Sequence, residues 1–172
     1  MGVVYEAERA DGTYEQRVAL KVLKRGMDTA LFLRRFESER AALSRLAHPN
    51  VARMLDAGST ADGRPYLVMD LVEGRPIHRY CDENCLSIRK RIELFLQVVA
   101  GVAHAHRNLI LHRDLKPGNI LVNSEGRVQL LDFGIAKALD AADGSVTVTS
   151  ERFLTPRYAS PEMINAGSLT TA

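Results

Sequence analysis

The chain has 172 residues, 46% of them hydrophobic and 26% charged, with a net charge of +2. That length allows one domain or part of one, and that mixture is ordinary for a soluble globular chain. So small a net charge gives no electrostatic case for nucleic acid or for an anionic membrane surface.

The longest apolar run, Leu94 to Ala103, is about half of what a bilayer needs. The N-terminus carries Glu6 and Glu8 and has no signal-peptide core. Glu6 also breaks the myristoylation pattern that Met1-Gly2 would open. A metal site would need more ligands than the lone pair Cys81 and Cys85, so they read as reduced thiols.

Gly2 to Glu8 alternates and is rich in β-formers, which predicts a strand. Asp11-Gly12 reads as a turn and Arg17 to Leu23 as a second strand, so the two make a hairpin. The second strand contains Val18-Ala19-Leu20-Lys21. A lysine there either lies at an edge in water or has a partner, because an unpaired buried charge is costly. The next element supplies a partner. Leu31 to Leu46 is helical in period, with Phe32, Phe36, Leu43 and Leu46 on one stripe and Glu39 filling its gap. Glu39 therefore faces the core side, whereas Glu37 does not. Lys21 and Glu39 explain each other as an ion pair.

Val51 to Ser59 and Pro65 to Val72 read as two more strands, joined by a turn at Ala61-Asp62-Gly63. Ser87 to Arg107 is the longest helix signal, and Ile88, Ile92, Phe95, Val99, Val102 and Ala103 form its expected core face. His104 and His106 read as helix-end or packing residues, since no carboxylate or cysteine is placed to join them on a metal.

The densest chemistry follows in His112-Arg113-Asp114-Leu115-Lys116-Pro117-Gly118-Asn119. Leu109-Ile110-Leu111 precedes it and Ile120-Leu121-Val122 follows, and polar chemistry between two buried segments suggests a site. Asp132-Phe133-Gly134 comes thirteen residues past Asn119, straight after the apolar run Val128 to Leu131. Asp114, Asn119 and Asp132 would supply one base and two oxygen ligands for Mg²⁺. From Gly134 to Ser150 the chain is polar and rich in Ala and Asp, which reads as a loop. It ends at Leu154-Thr155-Pro156-Arg157-Tyr158-Ala159-Ser160-Pro161-Glu162.

With these motifs in this order, the chain resembles the eukaryotic-like (Hanks-type) bacterial serine/threonine protein kinases. The resemblance implies an α+β, bilobal fold, truncated at both ends. Residues 1–72 would form a small antiparallel sheet lobe with one helix and the hinge, lacking the first strand. Residues 73–172 would form part of a mainly helical lobe, lacking the later helices. ATP and Mg²⁺ are the implied cofactors. Lys21, oriented by Glu39, would contact the α- and β-phosphates, and Gly2 is the remaining glycine of the phosphate loop. Asp132 would hold the bridging Mg²⁺ and Asn119 a second one. Asp114 would accept or orient the substrate hydroxyl proton, and Lys116 would neutralise the γ-phosphate. Val4, Ala19 and Leu121 would sandwich adenine, although each would serve equally well as a core residue. Met69 would be the gatekeeper, and the backbone of Asp70 to Val72 would bond adenine.

Lys116 and Thr155 imply the serine/threonine branch. Arg113 beside Asp114 implies control by phosphorylation of the activation segment, with Lys137 as a helper. Thr147, Thr149 and Ser150 are the candidate acceptors, and a plain polar loop is as good a reading for any one of them. Leu154 stands where the family has Gly, and Ser160 where it has Ala. The implied activity is phosphoryl transfer from Mg²⁺–ATP to Ser/Thr hydroxyls of protein substrates. A truncated non-catalytic module that binds nucleotide or a partner is the alternative, and a small-molecule phosphotransferase is a third reading. The presence of Lys21, Glu39, Asp114, Asn119 and Asp132 together favours the catalytic one.

The chain begins at the third glycine of the phosphate loop and stops soon after Glu162, so it reads as a fragment whose own activity is a separate question. Neither nucleic acid nor membrane contact is expected of it. A cytoplasmic location is expected, on a full-length protein that could be membrane-tethered and could form a homodimer for autophosphorylation.

Overall fold

The computed structural model describes residues 2–10, 15–23, 36, 40, 41, 43–133 and 156–164. They fall into two compact units. The first runs to Ala47 and again from Ala52 to Val72; the second takes His48–Val51 and the chain from Glu73.

The first unit is built on a four-stranded antiparallel sheet. Its strands are β1 (Val3–Glu8), β2 (Arg17–Val22), β3 (Met54–Ser59) and β4 (Pro65–Asp70), in the order β1-β2-β4-β3. The alternating pattern sets the register. Val4 faces Lys21 and Glu6 faces Ala19 in the β1–β2 pair. Ala19 faces Met69 and Lys21 faces Leu67 in the β2–β4 pair. Residues directly opposite in antiparallel strands share a face of the sheet, so Val4, Ala19, Lys21 and Met69 all lie on one face. Val18, Leu23, Ala57 and Leu67 are buried.

The strand expected from Val51 starts instead at Met54, and its register shifts between Met54 and Asp56, the mark of a bulge. The strand expected to reach Val72 ends at Asp70. Gly63 takes φ 80° in the turn between them, where a Cβ would be strained. Of the helix expected over 31–46, Phe36, Arg40, Ala41 and Leu43 are described and helical. Phe36 and Leu46 are buried, as their stripe requires. Glu39 lies outside the described residues, and so does the turn at Asp11-Gly12.

The second unit contains β5 (Arg75–Pro76), α1 (Ile77–Glu83), α2 (Ile88–Arg107), β6 (Ile120–Val122), β7 (Val128–Leu130) and α3 (Pro161–Ile164), with 3-10 turns at Pro117–Asn119 and Pro156–Tyr158. β5, β6 and β7 make a small antiparallel sheet. Neither α1 nor β5 is anticipated by the sequence pattern. Ser87 caps α2, its hydroxyl accepting from the Lys90 N–H at 3.4 Å. Among the described residues, no helix is long and apolar enough to cross a membrane.

The expected core face of α2 is overturned. Ile88, Ile92, Phe95 and Val99 are 78, 54, 58 and 46% exposed. The buried stripe is Leu94, Val98, Gly101 and Ala105. Both stripes have helical spacing, so period alone does not choose between them. Packing does, because Gly101 lets α2 approach its neighbours closely. A Cβ there would sit 2.9 Å from Leu130 Cδ1 and 3.1 Å from the Asn50 carbonyl oxygen.

Asn50 anchors the short His48–Val51 segment to the same place. Its Nδ2 donates to the Val128 carbonyl at 2.7 Å and to Gln97 Oε1 at 3.1 Å, and its carbonyl accepts from the Leu130 N–H at 2.9 Å. His104 packs its ring against His48, centroids 5.0 Å apart, in agreement with a packing role.

Candidate active site

In the second unit the site grows out of the end of α2. Leu109, at φ 59°, terminates the helix and turns the chain towards His112. The His112 side chain is buried and lies against Phe133, ring centroids 4.6 Å apart. Asp114 folds back on this residue, its N–H donating to the His112 carbonyl at 2.8 Å. Arg113 between them sits at φ 59°, and Asp132 at φ 53°. Left-handed backbone in residues with a Cβ stores roughly 1–2 kcal/mol each, and such strain gathers at functional sites.

Pro117, with its fixed φ, opens the 3-10 turn, and the Asn119 N–H donates to the Lys116 carbonyl at 2.9 Å. That turn brings three polar side chains together. Lys116 Nζ donates to Asp114 Oδ2 at 2.8 Å. Asn119 Nδ2 donates to the Asp114 carbonyl at 2.8 Å and to Asp114 Oδ2 at 3.2 Å. The Asp114 side chain is only 8% exposed, so its carboxylate works in a largely dehydrated place where these contacts are strong. β6 then pairs with β7, Ile120 facing Leu130, and the Leu131 N–H donates to the Asn119 carbonyl at 2.9 Å. This puts Asp132 next to the backbone of Asn119. The stretch around Asp114 and the stretch around Asp132 are therefore joined twice, through that hydrogen bond and through the His112–Phe133 contact.

Burial pushes the His112 imidazole below its ordinary pKa. The backbone groups of Leu131 and His112 and the carboxylates of Asp114 and Asp132 oppose the shift. Among the described residues, neither ring nitrogen has a partner in normal hydrogen-bonding geometry. A neutral ring packed on Phe133 fits that environment. The sequence pattern assigns no role to this histidine, and its contact with Phe133 requires the hairpin to close.

In the first unit, Val4, Ala19, Lys21 and Met69 share a sheet face as described. Ala19, Lys21 and Met69 are half-buried, and Val4 is exposed. Gly2 precedes β1 and passes so close to β2 that a Cβ would run into the Val22 carbonyl. Asp70 closes β4, its carboxylate held by Arg53, and Val72 is the last residue of this unit. Leu121 belongs to the second unit, half-buried in the middle of β6 opposite Pro76 and Gln129. Glu39, Gly134, Lys137, Thr147, Thr149, Ser150 and Thr155 lie outside the described residues.

Residues 1–172 match the protein kinase domain family. The chain is 38% identical over 174 residues to the serine/threonine-protein kinase PrkC of Bacillus subtilis, covering 99% of this chain and 26% of that protein. It is 40% identical over 168 residues to the serine/threonine-protein kinase PknA of Mycobacterium tuberculosis, covering 94% of this chain and 38% of that protein. The crystal structure of the M. tuberculosis PknI kinase domain superposes with a TM-score of 0.72 at 27% identity, covering 99% of this chain and 61% of that one. The α+β architecture and the loop built on Asp114 thus define a kinase fold, and the chain belongs to the protein kinase family. It spans between a quarter and two-fifths of the length of these bacterial serine/threonine kinases.

Proposed function

We infer that the protein transfers the γ-phosphoryl group of ATP to Ser/Thr hydroxyls of proteins. The observation that carries this reading is the Asp114 carboxylate, buried and held by both Lys116 and Asn119. A hydroxyl nucleophile needs an acceptor for its proton and a fixed direction of approach, and an oriented, dehydrated carboxylate supplies both. Lys116 lies beside it, a cation suited to offset negative charge on the transferred group. Both relatives described above are named serine/threonine-protein kinases, which supports the same substrate class.

Mg²⁺ fits the donors present. Asn119 spends its amide nitrogen on Asp114, which leaves its side-chain oxygen as a hard ligand, and Asp132 adds a carboxylate. When bound, the ion neutralises phosphate charge and orients the groups in line. Lys21, with Glu39 as its orienting partner, serves the α- and β-phosphates in this reading. Val4 and Ala19 would supply apolar surface for adenine on the sheet face they share with Met69, Leu121 is the apolar residue the second unit would offer, and Gly2 lets the backbone near the phosphates approach closely. The Asp70 N–H already donates to the Arg53 carbonyl, so amide donation to adenine falls to Leu71 or Val72. Arg113 and Lys137 would receive a phosphate on Thr147, Thr149 or Ser150, and Thr155, with Lys116, marks the serine/threonine branch. The protein works in the cytoplasm in this reading.

The test is ATP-dependent phosphorylation of a generic protein substrate, with Asp132→Asn as the control. Transfer to serine and threonine that disappears in the variant is the expected result. Mg²⁺–ATP binding with no transfer under any condition would sink the catalytic reading.

A further inference from the structure

We propose that Arg53 is a positioning residue for adenine recognition: it holds the carboxyl end of β4, and with it the backbone that leads from Asp70 to Val72. The proposal rests on reading that backbone as the one that contacts the nucleotide.

Four contacts join Arg53 and Asp70. The Arg53 N–H donates to Asp70 Oδ2 at 3.1 Å, Nε donates to the same oxygen at 3.1 Å, and Nη2 donates to Oδ1 at 3.4 Å. In return the Asp70 N–H donates to the Arg53 carbonyl at 3.0 Å. The location explains why such a clamp is useful. β3 starts only at Met54, and its ladder with β4 is broken by the bulge between Met54 and Asp56. Bulges weaken pairing and bend the strand. On that side the regular ladder therefore ends irregularly at Met69, one residue short of the end of β4. Arg53 restores the pairing one residue further, through both its backbone and its side chain.

Strand alternation puts the Asp70 side chain on the sheet face away from Met69, Ala19 and Lys21. The guanidinium thus acts from behind and touches no nucleotide. A fork that meets both carboxylate oxygens fixes orientation as well as distance, which a lysine does not do. Its influence is on where the carbonyl of Asp70 and the amides of Leu71 and Val72 point.

The guanidinium side is solvent-facing, with 64% of the Arg53 side chain exposed, so the effect is a modest factor rather than a loss of function. Arg53→Met is expected to raise the KM for ATP about three-fold with kcat unchanged, in keeping with exposed pairs of this kind. The Leu71 and Val72 amides are expected to exchange hydrogen faster by a similar factor in the nucleotide-free protein. Arg53→Lys should fall between. Arg64→Met, which removes the Arg64–Asp62 pair in the β3–β4 turn, should move neither readout and serves as the control for general loosening of the sheet. The proposal is overturned if Arg53→Met leaves KM and exchange at 71–72 unchanged, shifts them no more than Arg64→Met does, or lowers kcat at constant KM. If the unsubstituted protein binds no Mg²⁺–ATP, the kinase reading itself fails and takes this proposal with it; that outcome shows before any variant is compared.

Discussion

Lys116 reaches back two residues to place Nζ 2.8 Å from Asp114 Oδ2, with its own side chain 24% exposed and its partner's 8%. Lys116 is itself extended, at φ −154° and ψ 159°, and side chains two residues apart along an extended stretch point to the same side. The pair belongs to the candidate site and also holds it in shape, because each side chain fixes the position of the other.

Lys116→Met should therefore lower kcat by about 10²-fold, the order found when one charge-stabilising donor is lost from a preorganised site. The KM for ATP should change far less. Steady-state phosphorylation assays decide this; turnover within about three-fold of the unsubstituted protein would mean that the contact is structural only.

Asn50 offers a test of the second unit's stability. It is buried, and Asn50→Ala strips a hydrogen bond from the Val128 carbonyl and from Gln97. Gln97 Oε1 keeps the Val128 N–H, so the Val128 carbonyl is the group left short of a donor, which should cost about 1–3 kcal/mol in urea denaturation. A loss below about 0.5 kcal/mol, the size of an ordinary surface change, would show that water replaces the asparagine without penalty.

Leu109 runs the other way. It is 82% exposed and at φ 59°, with its N–H on the His106 carbonyl and the next N–H, that of Ile110, on the Ala105 carbonyl. A glycine takes this conformation without a Cβ clash, and almost no buried surface is forfeited. Leu109→Gly should stabilise the protein by up to about 1 kcal/mol. A lower Tm in the variant would mean that the leucine contributes a contact that its exposure conceals.

Acid should destabilise the fold through two histidines. Burial holds His112 below its ordinary pKa, and it holds His48 there too, with the charges of His104 and Arg107 adding to the effect. The unfolded chain therefore binds more protons than the folded one in mild acid. The contribution is complete above about pH 6.5, the unfolded value, and is lost as pH falls from there towards the depressed folded values. Tm measured between pH 7.5 and 5.5 should fall, and His112→Phe should flatten that slope. An unchanged slope in the variant would assign the acid sensitivity elsewhere.

Much of this was legible in the residues. Alternation in Val3–Glu8 and Arg17–Val22 predicts the hairpin, because a half-buried strand has a side-chain period of two. The long helix runs from Ile88 to Arg107, within the bounds its apolar period suggests. Asp114, Lys116 and Asn119 are so close in sequence that one turn suffices to assemble them. What failed was the face of α2. The apolar residues Ile88, Ile92, Phe95 and Val99 make the better-looking stripe, but the helix packs through a stripe interrupted by Gly101. Periodicity records where apolar side chains are, and it is blind to a glycine whose value is the absence of a side chain.

The sequence by itself thus determined the family, and it names the polar residues of the candidate site, because the identity and order of nearby residues survive without knowing the fold. The tertiary structure alone decided which distant segments meet. Asn50 reaches Val128 across 78 positions, His112 lies on Phe133, and Arg53 grips Asp70 beyond a bulge. Such contacts depend on strand register, helix approach and backbone irregularity, which are settled by how the elements pack together and leave no local pattern in the chain.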